Sequence, residues 1–196
     1  LDWHPWSYTK ANYDSCQAYF SKKYHFKGRT SHGNSPWHGR SALDAGQLMG
    51  HAIDILREHI YPGNPPDAAN TINYTYTSTG PEFPSVVPDY TTVWVIGRFE
   101  TTEEMLESLA RVDKCAQAGA LATETTVEEE VITITHHKIP NKVLAEKFYR
   151  NLHTIGVPQF TEEEHNKAKA IQRELGQPEN GLPTELDPFE GGFTVL

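Results

Sequence analysis

The sequence predicts an α+β domain whose elements follow the order strand, helix, strand, strand, helix, strand. Three observations carry that prediction. Apolar residues alternate with polar ones from Cys16 to Phe26; they recur at three- and four-residue spacing from Ala45 to Ile60 and again from Met105 to Ala120; and a run rich in β-branched and aromatic residues fills Val93 to Phe99.

Taken in chain order, Cys16, Ala18, Phe20, Tyr24 and Phe26 fall on one side of the first strand, with Lys22 as the one misfit. After Gly28 a run of short polar residues and Pro36 marks a connection. Ala45, Leu48, Met49, Ala52, Ile53, Leu56 and Ile60 then form one helical face. Ile72, Tyr74 and Tyr76 alternate with Asn73, Thr75 and Thr77 in a second strand, and Val93 to Phe99 is the third. Thr101 followed by Glu104 reads as a capping box, after which Met105, Leu109, Val112, Ala116 and Ala120 mark the inward face of the second helix. Val127 to Thr135 supplies the last strand. Its acidic trio, Glu128 to Glu130, reads as a solvated or edge-protecting face in preference to a metal cluster.

This βαββαβ order is that of ferredoxin-like domains: a four-stranded antiparallel sheet with both helices on one face. The other face must be covered by something else or left wet. Beyond Ile139 a helix is expected over Asn141 to Ile155, with Leu144, Phe148, Leu152 and Ile155 inward. Another begins at the Thr161–Glu164 capping box and stops at Gly176. Residues 176–196, with three prolines and the Gly191–Gly192 pair, read as an extended surface tail.

Composition limits the function classes. A hydrophobic fraction of 37% with four Trp, nine Tyr and eight Phe is that of a globular chain, and 196 residues suffice for a single core. A net charge of −9, from 17 basic and 26 acidic residues without a basic cluster, argues against nucleic acid and anionic membrane as partners. No apolar run approaches a membrane span, and no secretory leader opens the chain. Cys16 and Cys115 are too few and too far apart for a disulfide framework or thiolate metal site and read as buried thiols, so a reducing cytoplasm is the expected location.

The densest chemistry lies in His25–Ala45, HFKGRTSHGNSPWHGRSALDA, where His32 occupies an exposed connection between two rigid elements. Arg98 sits in an otherwise apolar strand, VWVIGRFE, and needs a partner: a substrate carboxylate or a structural ion pair. Gly80 fits a tight turn. His136 and His137 read as a solvated pair, and Asn141 as a helix cap. The ten histidines contain no HExxH or HxH spacing.

Four segments in order, LDWHPW, the His32 stretch, TSTGPEFPSVVPDYTTVWVIGRFE and IPNKVLAEKF, resemble the dimeric metal-dependent amidohydrolases and peptidases that include aminoacylase, carboxypeptidase G and indole-acetyl-amino-acid hydrolases. The likeness runs from Leu1 to at least Gln159 and is nearest the aminobenzoyl-glutamate utilization protein B branch. In that family a small lid domain, which also forms the dimer, interrupts a catalytic domain. The resemblance implies that residues 15–138 are the lid, 1–14 the end of the first catalytic half and 139–196 the start of the second; both ends of the chain would then be cuts.

The resemblance also assigns roles. His32 matches the histidine that one subunit's lid projects into the other's active site to stabilise the oxyanion; the alternative is a loop histidine capping the next helix. Arg98 matches a substrate-contacting arginine. His4 matches a metal-binding histidine, against the alternative of a surface histidine. Ser85 stands where the family usually has Asn, so its hydroxyl would replace an amide at the substrate, and Gly80 leads into that loop. The parent would hold a divalent metal, zinc or manganese, which activates water to cleave an amide beside a carboxylate-bearing group. With His4 alone of the ligand set, this chain by itself is expected to bind no catalytic metal and to be inactive. Two other classes stay open, a stand-alone dimerisation module and a ferredoxin-like ligand-binding domain.

Overall fold

The computed structural model describes residues 8–64 and 68–194. Residues Cys16–Lys138 form one compact unit; Ile139–Gly192, with the residues before Cys16, belong to a second. The larger unit contains strand β1 (Ala18–Lys27), helix α1 (Ala42–Leu56), strands β2 (Thr71–Ser78) and β3 (Tyr90–Phe99), helix α2 (Thr102–Thr123) and strand β4 (Thr126–Thr135). The sheet order is β2-β3-β1-β4 with every neighbour antiparallel. This is the ferredoxin-like arrangement that the element order predicts.

Alternation decides which face of the sheet the helices cover. Ala18, Phe20, Tyr24 and Phe26 of β1, Val93, Val95 and Phe99 of β3, Met49 and Ile53 of α1, and Met105, Val112 and Ala116 of α2 are fully enclosed in one core. The helices start where side chains can serve their first turns. Ser41 accepts from the Asp44 N–H at α1, and Thr101 accepts from the Glu104 N–H at α2. The box expected at α2 is only half made, because the Glu104 carboxylate accepts instead from the Asn70 side chain. Leu48, expected inward, is 44% exposed; the buried face of α1 turns through Ala45, Gly46, Met49, Gly50 and Ile53 instead. Its two glycines explain the turn: a Cβ at Gly46 would meet the Thr91 methyl at 2.9 Å, and one at Gly50 the Tyr76 hydroxyl at 2.8 Å, so α1 lies against the sheet along that line.

Lys22 is the misfit resolved. It points to the helix face like its even-numbered neighbours and is 5% exposed, with Nζ 2.7 Å from Asp113 of α2 and 2.6 Å from Glu129 of β4. The acidic trio is a set of cross-strand ion pairs: Glu128 with Lys27, Glu129 with Lys22 and Glu130 with His25. A bulge follows, since Lys22 pairs with Val131 while Ser21 pairs with Thr133, leaving Ile132 unmatched. Both cysteines are free and half-buried, less enclosed than expected, and burial pushes the Cys115 thiol up.

The smaller unit holds α3 (Lys142–Ile155), capped by Asn141, and α4 (Glu162–Glu174), which opens on a complete capping box of Thr161 and Glu164. The helices form where expected, but the apolar face of α3 is uncovered: Leu144, Phe148 and Ile155 are 43%, 40% and 83% exposed. Among the described residues this unit has no large sheet to bury that stripe. The segment after α4 is irregular yet anchored, with the Asp187 N–H donating to the Thr9 carbonyl, Lys10 paired with Glu190 and Phe189 packed on Tyr13. No described helix is long and apolar enough to cross a membrane.

Candidate functional site

The β1–β3 ladder does not stop with the sheet. Beyond Lys27 the Gly28 N–H donates to Asp89 O (2.8 Å), the Val87 N–H to Ser31 O (2.9 Å) and the Gly33 N–H to Ser85 O (2.7 Å), so two loops continue as an irregular antiparallel ribbon. His32 and Val86 form a bridge within it. The fold therefore places His32 and Ser85 at the same tip, although they are far apart in the chain. A Cβ at Gly33 would sit 3.0 Å from the Ser85 backbone, which is why the ribbon closes there on glycine.

The His32 ring is exposed and held from one side. Asn34 accounts for its Nδ1, through its backbone N–H at 3.2 Å and its side-chain oxygen at 2.8 Å. No described residue bonds Nε2. If the Asn34 N–H donates to Nδ1, the neutral ring carries its proton on Nε2; a doubly protonated ring donates from both nitrogens. Those two forms offer an outward Nε2–H; the neutral tautomer that donates from Nδ1 to the Asn34 oxygen does not. Asn34 is the orienting residue that sequence reading missed; its signal is its place two residues on, within the same polar loop.

Gly80 introduces the Ser85 side of the ribbon at φ +82°, and a Cβ there would meet Pro88 Cβ at 2.7 Å. Its identity is a backbone requirement. Gly80→Ala should therefore destabilise the chain by about 1–3 kcal/mol, read as a lower urea midpoint; an unchanged midpoint would show that the turn relaxes.

Arg98 is elsewhere. It pairs with Tyr19 at the opposite end of the same ladder, with its guanidinium 5.2 Å from the Tyr19 ring centroid. From Tyr19 to Lys27 is eight strand steps, so Arg98 and His32 are separated by at least about 25 Å. Along the helix-free face between them lie Lys23 over the Trp94 ring and His25 bonded to Tyr90, Thr92 and Glu130. That face is left open, with Trp94 and Tyr90 each more than a third exposed. His137 is not simply solvated, because its Nδ1 meets both the N–H and the hydroxyl of Thr102 at the start of α2. His4 lies outside the described residues, and among the described residues no group of three or more His, Cys, Asp or Glu side chains is arranged to hold a metal.

Residues 19–124 match the M20 peptidase dimerisation domain. The chain is similar to the B subunit of p-aminobenzoyl-glutamate hydrolase from Escherichia coli K12, 34% identical over 176 residues, which is 89% of this chain and 35% of that protein. It is also similar to the Xaa-Arg dipeptidase of Mus musculus, 27% identical over 140 residues, 70% of this chain and 31% of that one. It thus spans about a third of the length of these curated relatives. Among solved structures, an aminobenzoyl-glutamate utilization protein from Klebsiella pneumoniae shares the fold, with a TM-score of 0.56 at 15% identity over 92% of this chain and 49% of that one. By the matched model and the 34% identity together, the chain belongs to the M20 peptidase dimerisation domain family.

Proposed function

We propose that residues 15–138 are the lid of a dimeric metal-dependent amidohydrolase, and that His32 reaches the active site of the partner subunit. One observation carries this reading: His32 and Ser85 share one tip of the lid, while Arg98 sits at least about 25 Å away at the other end of the ladder. A small substrate cannot touch both in one chain. It can do so where a two-fold axis brings the tip of one lid opposite the Arg98 end of the other.

In this proposal the metal, zinc or manganese, would be held by residues of the catalytic domain, with His4 as the one ligand drawn from this chain, and would supply activated water. This chain's own residues do the rest. His32 Nε2–H donates to the oxygen that becomes negative as the amide is attacked, Asn34 holds the ring in position, Arg98 grips the substrate's carboxylate, and Ser85 offers a hydroxyl beside His32. The substrate class is an amide next to a carboxylate-bearing group, in keeping with the names of the two curated relatives. Residues 139–196 would begin the second catalytic half, whose packing would cover the exposed stripe of α3.

The dimer would form through β4. This edge strand runs ten residues and exposes Val131, Ile132 and Ile134 at 54%, 45% and 41%. A long apolar edge is a template for another strand. Sedimentation at micromolar concentration should show a dimer, and a double change of Val131→Lys with Ile134→Lys should shift it to monomer. A wild-type monomer at that concentration would sink the dimer assignment.

A further inference from the structure

Where β1 ends, the chain crosses itself. Arg29 and Arg40 face each other across an antiparallel bridge, with each N–H donating to the other's carbonyl (2.9 and 2.8 Å). Gly28 permits the approach, since a Cβ there would lie 2.0 Å from the Arg40 carbonyl oxygen. Directly opposed residues of such a pair hold their side chains side by side, and like charges in that position repel. The bridge thus sets two arginines opposite each other, and both line one cleft, in a chain of net charge −9.

The two arginines line an open cleft with Lys27, Glu124, Thr125 and Thr126. Glu124 gives one counter-charge, 2.5 Å from Arg40 Nε, and Lys27 is paired outward with Glu128. Glu124 is also the one non-glycine residue with positive φ among the described residues, at +54° where a helix ordinarily ends on glycine. A non-glycine residue is therefore kept at that position at a conformational cost. Arg29 remains: only its Nε is used, on the His38 carbonyl, and its two terminal nitrogens have no partner among the described residues. The terminal nitrogen of Arg40 that bonds neither Gly39 nor Trp37 is likewise unspent among the described residues.

We propose that this cleft binds a small oxyanion, a phosphate or a carboxylate, on the fork of Arg29. A planar guanidinium presents paired donors at the spacing of two acceptor oxygens, and both terminal nitrogens of Arg29 are available for them. Thr125 and Thr126 line the same cleft, while the Lys27 ammonium is taken by Glu128. This proposal does not depend on the hydrolase reading.

The test is an amide NMR titration of the 196-residue chain with inorganic phosphate against chloride at constant ionic strength, and a parallel one with glutarate. Saturable shifts at Gly28, Arg29, Arg40, Thr125 and Thr126, with half-saturation in the millimolar range, are expected for at least one of the two. Phosphate alone, glutarate alone or both would assign the ligand's chemistry. Arg29→Gln should weaken that binding at least tenfold, while Arg173→Gln, at an exposed pair with Glu179 in the other unit, should leave it unchanged. Shifts that grow linearly across the chain with both anions, or saturation that Arg29→Gln leaves intact, would overturn the proposal.

Discussion

Replacing His32 by alanine in the proposed parent amidohydrolase is expected to lower turnover by roughly two to three orders of magnitude, the usual loss when one donor to a developing oxyanion is removed. Metal content and dimer should not change, because the ring is exposed and its bonds are confined to Asn34 in its own loop. Arg98→Ala should act differently. A group that grips the substrate's carboxylate equally in ground and transition states raises the Michaelis constant and leaves turnover nearly intact.

The separation of His32 from Arg98 gives the sharper version of this experiment. Under the proposal that the tip of one lid serves the other subunit, each active site would be assembled from two chains. A His32→Ala subunit mixed with one lacking a metal ligand should then regain activity at one site of the heterodimer. If heterodimers form and remain inactive, His32 serves its own chain and the shared site is wrong. Asn34→Ala offers an intermediate case: the ring stays but loses its side-chain contact, so turnover should fall by less than for His32→Ala, with the Michaelis constant unchanged.

Much of this architecture is readable from local chemistry. Period-two and helical patterns, the caps at Thr101, Asn141 and Thr161, and the turn at Gly80 are interactions between near neighbours in sequence, so they leave their mark there. The closeness of His32 to Ser85 is a product of ladder register, which no window of sequence contains. The same is true of the cross-strand pairing of Glu128 to Glu130, which as a run looks like a solvated face and becomes specific only when β1 supplies Lys27, Lys22 and His25 as partners to the three carboxylates. Leu48 reads as inward and is not, because helical spacing alone cannot say where the stripe is centred; two glycines against Thr91 and Tyr76 set the rotation. The α3 stripe is apolar as its spacing predicts and yet uncovered, since amphipathicity shows that a face seeks cover and not that this chain provides it.

Lys22→Met should strongly lower the stability of the lid. The ammonium ties β1 to α2 and β4 at once, and the Tyr24 hydroxyl donates to the same Asp113 oxygen at 2.6 Å. Methionine keeps the volume but leaves two carboxylates facing each other without their cation. Removing one member of a buried pair costs roughly 3–5 kcal/mol; here the loss should be about 3 kcal/mol, at the low end of that range, because Asp113 and Glu129 keep side-chain exposures of 25% and 36%. Urea unfolding measures it, and a loss under about 1 kcal/mol, the value of an exposed pair, would show that water already shields the cluster. Combining Lys22→Met with Asp113→Asn and Glu129→Gln should recover part of the loss, since no charge is then left uncompensated and an amide oxygen at position 113 can still accept from the Tyr24 hydroxyl. The cluster also fixes the behaviour in alkali. Burial pulls the Lys22 pKa down, but the hydrogen bonds and charges of Asp113 and Glu129 outweigh it and the net shift is upward. Burial, and then the bond to Asp113, push the Tyr24 phenol far above its ordinary range. As pH rises past the ordinary values of 10.0 for Tyr24 and 10.5 for Lys22, the unfolded chain releases these protons first while the folded chain retains them. Stability from both groups is therefore complete below about pH 10 and declines above it. The double variant Lys22→Met, Tyr24→Phe should start less stable at neutral pH and lose less between neutral pH and about pH 11 than the parent; equal losses would place the alkaline sensitivity in other residues.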